Sequence, residues 1–225
     1  MNLISGIDIS EIKDPIEYLK NFVTAERYRR FLEVVQNRTR YLTVVLEDIF
    51  QPHNASAVLR TCDCFGIQDV HIIENQNKYE VNPDVALGSS KWLNLCKYNG
   101  SSDNTPACLT RLKEKGYRIV ATTPHKDDYT PENLPLNQKT ALVFGTELEG
   151  LTPAALAIAD DYIRIPMCGF TESLNISVSV AILIHTLTCR LRESNIQWRL
   201  TAEEIEKIMV AWLHSTITKD RGAKK

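Results

Sequence analysis

The chain has 225 residues, 44% of them hydrophobic and 24% charged, with a formal net charge of −2; this is the balance of a globular protein with room for one α/β domain. No apolar run approaches the roughly 20 residues that a membrane helix needs, and Met1–Asp8 lacks the basic start and apolar run of a secretory signal. A membrane protein and a secreted one are thereby disfavoured, and the expected location is the cytoplasm.

Two short helical patterns open the chain. Asp14-Pro15 is placed to cap the first, and Thr24 the second, where Tyr28, Phe31, Leu32 and Val35 recur at helical spacing. Strand-like runs then follow at Tyr41–Leu46, Val70–Glu74, Trp92–Lys97, Tyr117–Thr122, Thr140–Phe144 and Tyr162–Ile165. Helical patterns separate them near Ala55–Phe65, Thr105–Lys115 and Pro153–Ala159. Such alternation predicts an α/β fold, a mostly parallel sheet covered by helices on both faces. A long helix is expected over Ser173–Arg192, and a last one from Thr201 to about Ser215, opened by the capping box Thr201-Ala-Glu-Glu204. The whole reads as a single domain, with helical extensions over about 1–40 and 200–225.

Charge is unevenly placed. Lys20–Arg40 holds six basic residues against Glu26 and Glu33, and Lys219–Lys225 holds four against Asp220. Basic edges on an acidic body suit contact with phosphates; they equally describe solvated helix faces and a frayed tail. The six cysteines, at 62, 64, 96, 108, 168 and 189, form no C-x-x-C pair. Neither a zinc site nor a disulfide framework is indicated, and buried reduced thiols are expected.

Open parallel sheets gather their functional groups in loops beyond the carboxyl ends of the strands. Four such segments stand out: Glu47–Asn54 with Arg60 on the helix it feeds, Thr123-Pro124, Gly145–Gly150, and Pro166–Asn175. Taken alone, Asn54 is a helix cap and Arg60 a surface cation. Yet most of that helix is apolar, and an arginine in a buried element wants a carboxylate or phosphate partner. Gly145–Gly150 carries neither G-x-G-x-x-G nor G-K-[ST], so a dinucleotide fingerprint and a P-loop are both unsupported. Gly145, directly after a buried strand, either lets backbone approach a ligand or makes an ordinary turn. Ser173 reads as the cap of the long helix, and no G-x-S-x-G elbow surrounds it. The five histidines show no metal spacing.

Three segments carry a family resemblance. Asn54-Ala-Ser-Ala-Val-Leu-Arg-Thr-Cys-Asp-Cys-Phe-Gly66, Leu142-Val-Phe-Gly-Thr-Glu-Leu-Glu-Gly150 and Ile165-Pro-Met-Cys-Gly-Phe-Thr-Glu-Ser-Leu-Asn-Ile-Ser-Val178 resemble, in order and separation, the three motifs of the TrmH/SpoU branch of the knotted SPOUT superfamily. The resemblance runs from Glu26 through the final helix and is nearest to tRNA members that methylate a D-loop guanosine. It implies S-adenosylmethionine-dependent methyl transfer to a ribose 2′-hydroxyl of structured RNA, tRNA first and ribosomal RNA as the alternative. A non-catalytic RNA-binding protein of the same fold is the reading from another class. It also implies a C-terminal trefoil knot, against general topological rules, a homodimer, and no metal.

By motif position, the resemblance places Thr122, Gly145, Ile165, Met167 and Leu174 at the cofactor. It makes Asn54, Arg60, Glu147, Ser173 and Asn175 the catalytic cluster. RNA contacts fall to Arg29, Arg30, Lys91, Arg190 and Arg192. The two arginines at the end of the long helix stand one residue further from Asn175 than in relatives, and Glu172 adds negative charge beside the expected RNA path.

Overall fold

The computed structural model describes residues 3–4, 7–8, 12–80, 82–126, 128–147 and 149–222. They form two compact units: residues 39–198, and the described parts of 1–38 with 199–225. The basic side chains from Lys219 onward lie outside the described residues, as does much of the Met1–Asp8 opening.

In the smaller unit, β1 (Leu3–Ile4) pairs antiparallel with β2 (Ile7–Asp8). Helix α1 (Pro15–Leu19) is capped by Asp14, whose Oδ1 accepts the Glu17 N–H at 3.1 Å. Helix α2 (Ala25–Val35) is capped by Thr24, whose hydroxyl accepts the Arg27 N–H at 3.2 Å.

The larger unit is built on β3 (Leu42–Glu47), α3 (Pro52–Phe65), β4 (Asp69–Ile73), α4 (Pro83–Ala86), β5 (Asn94–Tyr98), α5 (Thr105–Glu114), β6 (Arg118–Thr122), β7 (Thr140–Phe144), α6 (Pro153–Ile158), β8 (Asp161–Ile163) and α7 (Ile176–Glu193). Helix α8 (Ala202–Gly222) then returns the chain to the smaller unit, where Trp212 packs edge-on to Phe31, ring centroids 5.6 Å apart. No described helix is long and apolar enough to cross a membrane.

The sheet has six strands, all paired in parallel, in the order β5-β4-β3-β7-β6-β8. Because successive side chains of a strand point to opposite faces, β3 divides its apolar residues between two cores. Leu42, Val44 and Leu46 join the core that takes Val58 and Leu59 of α3 and Val180 and Ile184 of α7. Val45 joins the other, with Leu109 and Leu112 of α5 and Ala155 of α6. The near-continuous apolar runs of β3 and β7 are what a sheet covered on both faces requires.

Several boundaries differ from the sequence expectation, each for a local reason. The third helix starts at Pro52, whose fixed φ suits a first helical position, so its cap is Gln51 and Asn54 lies inside the first turn. It ends at Gly66, which takes φ 82°, a value that glycine adopts without penalty. The long helix is capped by Asn175 rather than Ser173, and the last helix continues past Ser215 to Gly222. Trp92 caps the end of a 3₁₀ turn over Ser89–Lys91, which delays β5 to Asn94.

His71 of β4 is buried, with Nδ1 3.2 Å from the Tyr98 hydroxyl. Burial pushes its imidazole down from the ordinary 6.5 to about 4. The unfolded chain therefore takes up a proton between those values that the folded chain refuses, and stability is lost as pH falls through that window. Urea midpoints should show His71 costing on the order of 2 kcal/mol at pH 5 relative to pH 7.5. His71→Gln should flatten that part of the profile; an unchanged profile would refute the assignment.

Candidate active site

The chain runs β3-β4-β5 toward one edge of the sheet, crosses to β6 on the other side, returns with β7 between β6 and β3, and ends with β8 outside β6. Strands β3 and β7 thus flank the point where the strand order reverses, the crevice in which open α/β sheets bind their ligands. Loops that leave β3, β7 and β8 meet there.

Their meeting point is the carboxylate of Glu147. Its Oε1 accepts the Asn54 Nδ2 at 2.6 Å and the Asn175 Nδ2 at 2.9 Å. Asn175 Nδ2 also donates to Asn54 Oδ1 at 3.2 Å, closing a triangle. Gln51, which the sequence reading passed over, accepts from Asn54 Nδ2 at 3.1 Å. The orientation of Asn175 is set from its other end, where Oδ1 accepts the Ser177 N–H at 2.9 Å and the Ser177 hydroxyl at 2.6 Å. Capping α7 therefore turns the amide nitrogen toward Glu147. Asn54 is buried, whereas Glu147 is exposed, so its carboxylate can still accept a donor from outside.

Beside the triangle lies a cavity of about 370 Å³, within the usual range of small-molecule sites. Thr122, Gly145, Ile165, Met167 and Leu174 all line it, together with Glu147 and Ser173. Its wall is mixed: apolar side chains of Ile165, Met167 and Leu183 face carboxylates of Glu147, Glu149 and Glu172. Leu183 and His125 carry no local pattern that marks them, because they reach the wall from α7 and from the loop after β6. Thr122 uses its hydroxyl within the sheet, donating to the Val143 carbonyl at 2.9 Å.

Gly145, which lines the cavity, also answers a steric demand. A Cβ built on it would stand 2.1 Å from the Gly150 carbonyl oxygen and 2.4 Å from the Leu151 nitrogen. The loop doubles back on itself there, with Thr146 N–H to Gly150 O at 2.9 Å and Gly150 N–H to Thr146 O at 3.1 Å. Its own backbone fills the space a side chain would need.

Arg60 stands on the exposed side of α3 and has no hydrogen-bond or ion-pair partner among the described residues. This is the place a surface cation takes on a largely apolar helix: α3 is apolar toward the core, and Arg60 points away from it. Arg190 and Arg192 are engaged within the fold. Arg190 donates to the carbonyls of Pro131 at 2.7 Å and Leu134 at 2.9 Å, and Arg192 to that of Phe65 at 2.9 Å. Lys91 is exposed on its 3₁₀ turn. In the smaller unit, Arg29 and Arg30 are exposed on α2, Arg30 lying 3.3 Å from Glu33.

Comparison with known proteins bears on this geometry. The SpoU rRNA Methylase family model matches residues 41–185, which hold every member of the triangle and the cavity wall. The chain belongs to the SpoU methylase family. A tRNA (guanosine(18)-2′-O)-methyltransferase of Borreliella burgdorferi is 47% identical over 202 residues, covering 90% of this chain and 91% of the relative. The crystal structure of the Aquifex aeolicus TrmH/SpoU tRNA modifying enzyme matches with a TM-score of 0.77 at 32% identity, over 88% of this chain and 98% of that one. The SpoU methyltransferase AviRb of Streptomyces viridochromogenes, solved with AdoMet, shares the fold at a TM-score of 0.60 and 21% identity, over 72% of this chain and 65% of that one.

The demand that Gly145 meets in this chain is steric. Gly145→Ala should destabilise the chain by on the order of 3 kcal/mol. Gly100→Ala, where a Cβ meets nothing within 4 Å, should leave thermal unfolding nearly unchanged. Equal melting temperatures for the two variants would remove the steric account.

Proposed function

We propose that the protein transfers a methyl group from S-adenosylmethionine to the 2′-hydroxyl of a guanosine in the D-loop of tRNA. The observation that carries this reading is that Glu147 belongs at once to the amide–carboxylate triangle and to the wall of a nucleoside-sized cavity. The curated relatives named for that reaction align along nearly the whole chain.

The cavity suits the cofactor chemically: apolar side chains of Ile165, Met167 and Leu183 offer surface to an adenosine, and three carboxylates against one arginine, Arg164, favour a cationic ligand. S-adenosylmethionine, when bound, supplies an electrophilic methyl group on a sulfonium. The residues of the chain have two tasks, to hold the hydroxyl in line with that methyl and to help it lose a proton. Asn54, Glu147, Ser173 and Asn175 fix the geometry of the hydroxyl. Arg60, exposed and without a partner among the described residues, grips the phosphate beside the target ribose as a cation and stabilises the developing alkoxide, with water taking the proton. A guanidinium holds its proton too firmly to be a ready base. Arg29, Arg30 and Lys91 meet further phosphates, and the hydroxyl chemistry itself distinguishes RNA from DNA.

The working form is a homodimer in the cytoplasm. Val178 and Ile182, one turn apart on α7, leave 44% and 36% of their surface exposed, apolar surface that a second copy would cover. A trefoil knot near the end of the sheet is part of this reading, which the contacts between the loop after β6 and later parts of the chain support. Tyr129 bridges to Ile163, and Arg190 of α7 reaches the carbonyls of Pro131 and Leu134.

Labelled cofactor, purified protein and tRNA transcripts test the reading, with the methylated nucleotide mapped afterwards. Ribose methylation of a D-loop guanosine is expected. Methylation of ribosomal RNA alone would move the substrate to the alternative, and RNA binding without transfer would make the protein a non-catalytic binder. Within this assay Arg60→Ala should lose at least about a hundredfold in single-turnover rate, with adenosylhomocysteine affinity retained, and Arg60→Lys should keep measurable activity. Transfer by Arg60→Ala at the parent rate would return Arg60 to a surface cation.

A further inference from the structure

Glu47, the last residue of β3, is 1% exposed and has no cationic partner among the described residues. Burying an unpaired carboxylate costs stability unless hydrogen bonds replace its water, and here they do. Oε1 accepts the Thr105 hydroxyl at 2.5 Å and the Thr152 hydroxyl at 2.7 Å, while Oε2 accepts the Thr152 N–H at 2.9 Å. Two of the three donors thus come from one residue, Thr152. That residue ends the loop which leaves β7 at Gly145 and contributes Thr146, Glu147, Glu149 and Gly150 to the cavity wall.

The loop is therefore pinned at both ends. At the start, Gly145 is pressed against the Gly150 carbonyl; at the finish, Thr152 is bound to the end of β3. Strand β3 also leads into the segment that carries Gln51 and Asn54, so Glu47 ties the cavity loop to the strand from which its partner amide comes. We propose that Glu47 is a positioning residue: it acts through Thr152 to hold the cavity loop in the ligand-competent conformation. Without those bonds the loop samples other conformations, and apparent affinity falls in proportion to the competent fraction.

The proposal rests on the cofactor reading above for its ligand but has a readout that does not need it. Thr105 and Thr152 each give a hydroxyl to the same carboxylate, yet only Thr152 bears the loop. Thr152→Val and Thr105→Val should both lower the melting temperature. Thr152→Val and Glu47→Gln should raise the adenosylhomocysteine Kd about tenfold, Thr105→Val should change it less than about twofold, and Thr152→Ser should restore it. In the protein without ligand, amide exchange at Thr146 and Gly150 should quicken in Thr152→Val and Glu47→Gln but not in Thr105→Val. Equal effects of the two threonine variants on exchange, or none, would overturn the proposal. A parent protein that binds no adenosylhomocysteine would sink the cofactor reading instead, and the exchange comparison would then still decide on Glu47.

Discussion

Glu147 Oε1 accepts two amide N–H groups, one from the helix that follows β3 and one from the cap of the helix that follows β8. Segments that follow three different strands, far apart in sequence, converge on that oxygen. A charge-assisted hydrogen bond is stronger than a neutral one, but two of them do not assemble a sheet. The parallel order β3-β7-β6-β8 brings the loops within reach, and the triangle then selects one arrangement among those the loops can adopt. Fold and site are coupled in that direction.

The same economy appears in how single residues serve two elements. Asn175 caps α7 with its carbonyl oxygen and meets Glu147 with its amide nitrogen, so helix capping sets the orientation of a site residue. Thr152 caps α6 through its hydroxyl, which accepts the Ala155 N–H at 3.2 Å, while giving its hydroxyl hydrogen and its own N–H to Glu47. Rigid secondary structure is the usual support for preorganised groups, and here the helix caps provide it.

Much of this was legible in the sequence. The alternation of strands and helices, the sheet covered on both faces and the loops that hold the site follow from periodicity and from the placement of polar segments after apolar runs. What local pattern could not supply was any fact that depends on two distant segments. Asn54 reads as a cap because its partner lies 93 residues away, and Pro52 had already taken the start of the helix. Gly145 reads either as room for a ligand or as an ordinary turn, because the Gly150 carbonyl that a side chain there would strike is invisible in a linear string. Arg190 reads as a free cation until the carbonyls of Pro131 and Leu134 are seen beside it. Glu47, at the end of an apolar strand, looks like the first residue of a polar loop; only the positions of Thr105 and Thr152 make it a buried acceptor. The insertion of β7 between β3 and β6 is likewise a property of packing, and so is the packing of α1 and α2 against α8 in the smaller unit.

The central claim is that Asn54 and Glu147 act as one unit in methyl transfer. Single-turnover methylation rates of Asn54→Ala, Glu147→Gln and the double variant test it most directly, read as a double-mutant cycle. The account predicts that either substitution alone removes most of the rate and that the double variant is no slower than the worse single one. Losses that multiply, as for two residues acting independently, would contradict it.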